Sequence, residues 1–241
     1  MSTHPKNPST IQLTIGGTNR LELSSHQTIS SSAPVSLSIV FDTTGSMDSY
    51  IADLIDCINE MAVSLTKSGI AWSTTVIPFG DLRIAGDTIE TDLPWVSSVE
   101  HVTELLDAMP HNGGGGNDGE SSFEAIDAGV TRLADRNSGA KVLLILTDDG
   151  AHRDNFSEDE ILKRLVQSDI LVYSVAPSQY EYYRQFAHCT GGEFLELSNQ
   201  VDLSSISEKM TLLGRTIAER TNRVLMTGGS PQVLLQLENG Q

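Results

Sequence analysis

Three short polar stretches, each placed after an apolar run or inside a glycine-rich loop, hold the residues with chemistry to offer. The first is Asp42-Thr43-Thr44-Gly45-Ser46. One carboxylate and two hydroxyls at alternate positions are hard oxygen donors, which suit Mg²⁺ or another hard cation such as Mn²⁺ or Ca²⁺. The second is the run from His111 through four glycines to Asn117, Asp118, Gly119 and Glu120. The third is Thr147-Asp148-Asp149-Gly150-Ala151-His152. Nucleophilic catalysis by serine or cysteine has no support, because the chain lacks GxSxG, a P-loop lysine motif and CxxC.

Donors this far apart in sequence can meet only if regular elements carry them to one place. Val35 to Phe41 is a short apolar run that reads as a buried strand ending on Asp42. Asp48 is expected to N-cap the helix that follows, over 49–67, where Ile51, Leu54, Ile55, Ile58, Met61, Ala62 and Leu65 recur at helical spacing. Lys67 and Gly69 end it. Strand, polar turn and helix in that order put Asp42, Thr44 and Ser46 at a strand's carboxyl end, where open α/β sheets build their sites.

The same alternation continues. Residues 71–79 read as a strand, and 88–96, interrupted by Pro94, as a strand at an edge. A helix over 99–109 stops at Pro110, and another runs from Phe123 to Leu133. Residues 141–147 form the most apolar strand. Ser157 and Glu160 make a capping box for a helix over 158–168. A strand at 170–176, a helix near 178–188, a short strand at 193–197 and a closing helix from Leu203 to Ile217 complete the series. The prediction is an α/β domain over 34–222 with a doubly wound, mostly parallel sheet and helices on both faces. Residues 1–33 carry a hairpin signal at 11–23 and a Ser-rich linker, and 223–241 carry a second hairpin signal. Together they are expected to form a small β extension.

A formal net charge of −17 argues against nucleic acid or an anionic membrane as partner, since both would be repelled. Two cysteines, Cys57 and Cys189, are too few for a disulfide framework. No basic segment followed by an apolar core opens the chain, and no apolar run approaches the roughly 20 residues that span a bilayer. A cytoplasmic location is the expectation.

Asp42-x-Thr44-x-Ser46 resembles the DxSxS signature of the von Willebrand factor A domain and its metal-ion-dependent adhesion site, with threonine in place of the middle serine. Asn117-Asp118-Gly119-Glu120, followed by Phe123-Glu-Ala-Ile126, is similar to the DxPE segment that integrin β subunits use as the second loop. It departs from that segment at Asn117 and Gly119. Thr147-Asp148 resembles the family's third-loop TD turn. The resemblance covers about residues 35–222 and implies one antiparallel edge strand in the sheet. It implies that Thr44, Ser46 and Glu120 contact a divalent cation directly, and that Asp42 and Asp148 do so directly or through water. It also implies a protein partner whose carboxylate completes the coordination, with an AAA+ ATPase among the associations known for intracellular members. Asp149 and His152 lie within reach of the rim without being assigned as ligands, and His152 is expected to face solvent.

Two other readings stand beside this one. Asp42-Thr-Thr-Gly-Ser46 also looks like the DKTGT motif of P-type ATPases and their haloacid dehalogenase relatives, which would make Asp42 a Mg²⁺-dependent phosphotransfer nucleophile. That chemistry needs a lysine near the phosphoryl group, and neither Lys67 nor Lys141 has a motif around it. A structural scaffold within a multi-protein complex is the third reading.

Overall fold

The computed structural model describes residues 35–114, 119–136 and 140–197, together with 208, 212, 214–220 and 223. The hairpins expected within 1–33 and 223–241 lie outside the described residues, Arg223 excepted, as do Asn117 and Asp118.

Strand β1 (Val35–Asp42) is buried along its whole length. A turn of 3-10 helix at Gly45–Met47 follows, and then the 20-residue helix α1 (Asp48–Lys67). Strand β2 (Trp72–Phe79), helix α2 (Val99–Asp107) and helix α3 (Ser122–Ala134) come next. Strand β3 (Ala140–Leu146), helix α4 (Glu158–Gln167) and strand β4 (Ile170–Ala176) lead to helix α5 (Glu181–Thr190) and strand β5 (Glu193–Glu196). Among the described residues the sheet is five-stranded and wholly parallel, in the order β2-β1-β3-β4-β5. The expected doubly wound α/β fold is therefore what the chain adopts.

Alternation along each strand splits the core in two. Val35, Leu37, Ile39 and Phe41 of β1, with Val142, Leu144 and Leu146 of β3, meet α1 and α2 on one face. Val40, Leu143 and Ile145 meet α3, α4 and α5 on the other. Burial on both faces is why these strands read as nearly unbroken apolar runs. On α1, Leu54, Cys57, Ile58, Met61, Ala62 and Leu65 are buried, as their spacing requires. Residues 214–220 are helical, and Ile217 and Ala218 join the same face as α1, in agreement with the described part of the closing helix.

Two expectations need correction. Asp48 is the first residue of α1 rather than its cap. The cap is Met47, which makes no side-chain bond, because the 3-10 turn already leads the backbone into the helix. Asp48 still stands in the first turn, where a carboxylate suits the helix dipole. Residues 88–96 do run antiparallel to β2, but they touch it through two isolated bridges, Thr74 with Val96 and Phe79 with Ile89, rather than through a ladder. Proline breaks the pairing on both sides: Pro94 sits in the segment and Pro78 in β2, and neither can donate a backbone bond. Side chains replace the missing ladder. Arg132 of α3 donates to the Thr91 and Leu93 carbonyls, and Thr75 Oγ1 to that of Leu93.

Candidate metal centre

The strand order reverses direction between β1 and β3, and at such a switch point the loops on either side leave in opposite directions and open a crevice. Asp42 ends β1 there, and Thr147 and Asp148 follow β3. Asp42 is fully buried. Its Oδ1 accepts from the Thr44 amide at 3.0 Å and the Thr44 hydroxyl at 2.7 Å. Its Oδ2 accepts from Thr147 Oγ1 at 2.7 Å. The two hydroxyls, Thr44 Oγ1 and Ser46 Oγ, are 3.1 Å apart, and Ser46 Oγ donates to Asp148 Oδ1 at 2.9 Å. Four of the five expected ligands thus form one chain of hydrogen bonds, buried at Asp42 and exposed to solvent at Ser46.

Glu120 comes to the same place from the second loop. Its backbone pairs with the third loop, with Glu120 N donating to Gly150 O at 2.9 Å and His152 N to Glu120 O at 2.9 Å. Glu120 is 5 % exposed, and its Oε2 makes no hydrogen bond among the described residues. Gly114 closes the cradle with a φ of +66°, and a Cβ there would sit 3.0 Å from Thr44 Cβ and 3.4 Å from Glu120 Oε1. A side chain at 114 would be strained in its backbone and would crowd both groups.

The electrostatics, among the described residues, are those of acids gathered together. Burial pushes Asp42 up to about 6, against the bonds from Thr44 and Thr147 that hold it down. Burial, then the nearby charges of Asp42 and Asp81, push Glu120 up to about 8. Asp148 is raised by burial and by Asp149. A divalent cation would relieve all three. Among the described residues no three His, Cys, Asp or Glu side chains form a metal-binding group by themselves. Two of the five candidate donors are hydroxyls. The orphaned Glu120 oxygen and the hard-oxygen character of the set fit Mg²⁺ or a similar ion.

Several residues that hold this arrangement went unrecognised in the sequence. The Thr147 hydroxyl orients Asp42. Asn112 donates its side-chain amide to Thr43 Oγ1, and its backbone amide bonds the Thr43 carbonyl, which ties the glycine-rich loop to the first loop. Asp87 receives the amides of Gly113 and Gly114. His152 does not face solvent as expected. It is buried, with Nε2 3.2 Å from Asp81 Oδ1, because its own backbone pairing with Glu120 draws it inward. A composition cue existed only for Asn112 and Asp87, polar residues beside glycines. Neither lysine weighed for the phosphotransfer reading lies near the site: Lys141 is near the start of β3, at the end away from Asp148, about 20 Å off at strand rise. Lys67 closes α1, which is about 30 Å long.

No family model matches the chain. A protein of Acanthamoeba polyphaga mimivirus that carries the name ariadne-like RING finger protein R811 is 22% identical over 205 residues, covering 75% of this chain and 20% of the viral protein. The chain therefore spans about a fifth of that relative's length. No described helix is long and apolar enough to cross a membrane.

Proposed function

We propose that this domain binds a divalent cation, Mg²⁺ or a similar hard ion, at Asp42, Thr44, Ser46, Glu120 and Asp148, and uses it to engage a protein partner through an acidic side chain. One observation carries the reading. Two loops that follow β1 and β3 and a third that joins α2 to α3 bring hard oxygen donors together at the switch point, and among them stands a buried carboxylate oxygen with no partner among the described residues. The resemblance of those loops to the von Willebrand factor A domain and its adhesion site supports it. Five protein donors fall short of the six that Mg²⁺ prefers, so water or a partner carboxylate completes the shell. The exposed end of the chain of bonds, at Ser46, is where such a carboxylate would arrive.

The viral relative's name speaks of a RING finger, a zinc fold built on clusters of Cys and His. With two cysteines, one buried in α1 and one exposed on α5, this chain builds no such cluster among its described residues. What the two share is some other part, and an interaction module inside a larger protein agrees with a match to a fifth of its length. An AAA+ ATPase is the partner class that the adhesion-site resemblance puts forward, and a cytoplasmic site of action belongs to the same proposal.

Titration calorimetry with Mn²⁺ and Mg²⁺ tests the cation. Binding is expected for the wild type and its loss for Asp42→Ala and Asp148→Ala. A wild-type protein giving no binding heat with either ion overturns the reading. Capture of a partner with and without EDTA then tests whether the ion is what the partner recognises.

A further inference from the structure

The loop after β3 carries two adjacent carboxylates, Asp148 and Asp149. It brings Asp148 and Asp149 together under Glu120 and Asp42, and these like charges push one another apart. Two backbone bonds, Glu120 N to Gly150 O and His152 N to Glu120 O, already oppose the repulsion, and α5, which none of the adhesion-site motifs touches, adds a second set of bonds. Three tyrosines at its start reach the loop. Tyr180 Oη donates to Asp149 Oδ1 at 2.5 Å. Tyr182 Oη accepts from the Ala151 amide at 2.6 Å. Tyr183 Oη donates to the Asp149 carbonyl at 3.3 Å and lies 2.8 Å from Ser122 Oγ.

The Tyr183 contact joins two loops. Ser122 opens α3 two residues after Glu120, and Asp149 follows Asp148. A single phenol, wholly buried, therefore bridges the segment that carries Glu120 to the one that carries Asp148. Its base is fixed as well. Ser174 Oγ of β4 donates to the Tyr183 carbonyl at 2.8 Å, and the Tyr182 ring meets Phe123 of α3 edge-on at 5.3 Å between centroids. Gly150 completes the fit, since a Cβ there would lie 2.6 Å from the Tyr180 ring.

We propose that Tyr183, with Tyr182 and Tyr180, are positioning residues of the cation site: the Tyr180 and Tyr182 hydroxyls hold the loop after β3 against α5, the Tyr183 hydroxyl joins that loop to the start of α3, and together they set the spacing between Asp148 and Glu120. The proposal rests on the cation reading given above. Metal ligands must hold their distances to within about 0.2 Å, and donors that repel one another need an outside constraint to do so. Burial raises the Tyr183 phenol well above its ordinary range and Tyr182 up to about 12, so both stay protonated and the bonds persist through the neutral range.

The test compares Tyr180→Phe, Tyr182→Phe and Tyr183→Phe, which remove a hydroxyl and keep the ring, with Thr190→Val at the far end of α5. Thr190 Oγ1 accepts from the Val172 amide, away from every ligand loop. Mn²⁺ dissociation constants come from calorimetry, and melting temperatures are taken in EDTA. Loss of one buried hydrogen bond carries about a tenfold factor, so Mn²⁺ should bind about tenfold more weakly to Tyr183→Phe and Tyr182→Phe. Thr190→Val should melt lower and bind Mn²⁺ as the wild type does. Tyr180→Phe alters a half-buried rim side chain, and it carries the same test where the Tyr183 variant does not fold. Equal Mn²⁺ affinity in all tyrosine variants and wild type overturns the clamp alone, as does an equal weakening in Thr190→Val. A wild type that takes up no Mn²⁺ overturns the cation reading and the clamp with it.

Discussion

At the scale of single residues, Asp42 and Glu120 set how the metal-free domain responds to pH. Both hold their protons in the folded state beyond the point at which the unfolded chain releases them: Asp42 to about 6 from 3.8, Glu120 to about 8 from 4.5. The folded state thus binds more protons than the unfolded one between about pH 4 and pH 8, and stability without metal falls as pH rises through that window. Glu120 governs the upper half. Melting curves in EDTA should show the wild type losing stability from pH 6 to pH 8, and Glu120→Gln should flatten that fall and melt higher at pH 8. A wild-type melting temperature that holds steady or climbs over the same interval would show Glu120 to be ionised at no cost. With metal the sign reverses, since the ion displaces those protons and affinity should rise with pH. Glu120→Thr removes one negative charge from the donor set. Retention of Mg²⁺ by the free domain should then weaken, while binding of a partner carboxylate becomes the stronger contributor, measurable as a larger gap between EDTA and Mg²⁺ in partner capture.

At the scale of elements, the site depends on pieces that touch no ligand. Arg132 of α3 takes the carbonyls of Thr91 and Leu93, and with Arg136 it faces the Trp95 ring, at 5.7 Å and 4.7 Å to the centroid. Arg132→Ala should cost about 2 kcal/mol or more, because hydrogen bonds to a charged donor are among the stronger ones. Hydrogen exchange should show the amides of 88–96 losing protection before those of β2. Unchanged protection there would mean that Thr75 and the two bridges suffice. The capping box on α4 is a separate matter: Ser157→Ala should cost about 1 kcal/mol and leave cation affinity alone. The elements were legible in the sequence where one local rule decided the matter. Nearly unbroken apolar runs gave β1, β3 and β4, period-3.6 spacing gave α1, and Ser157 with Glu160 gave the start of α4. Two ligand loops were legible because oxygen donors stand directly after the apolar strands β1 and β3, and the glycine-rich loop because its run ends on Asn117-Asp118-Gly119-Glu120. Long-range pairing was not. That His152 turns inward onto Asp81 depends on a backbone bridge to Glu120, more than thirty residues away. That three tyrosines at the start of α5 grip the loop after β3 depends on how helix and loop meet in space. No period or motif within either segment encodes such a meeting.

At the scale of the whole molecule, the charge of −17 complicates any test with cations. Screening alone relieves self-repulsion in an acidic protein, so NaCl should raise its stability somewhat without binding anywhere. A specific site behaves differently. An ion that binds only the folded state adds about 2.7 kcal/mol at a hundred times its dissociation constant. For a domain of this size that corresponds to a melting-temperature rise of about 5–10 °C. Millimolar MgCl₂ should produce the rise, EDTA should reverse it, and NaCl at equal ionic strength should yield only a small part of it. Asp42→Ala and Asp148→Ala should each remove the Mg²⁺-specific part and keep the NaCl response. In EDTA Asp148→Ala should melt at or above the wild type, because it deletes one of the charges that burial forces together, whereas Asp42→Ala should melt lower, because it leaves the Thr44 and Thr147 donors without their acceptor. Equal shifts from Mg²⁺ and ionic-strength-matched NaCl, in wild type and variants alike, would reduce the oxygen cluster at the switch point to part of a general acidic surface.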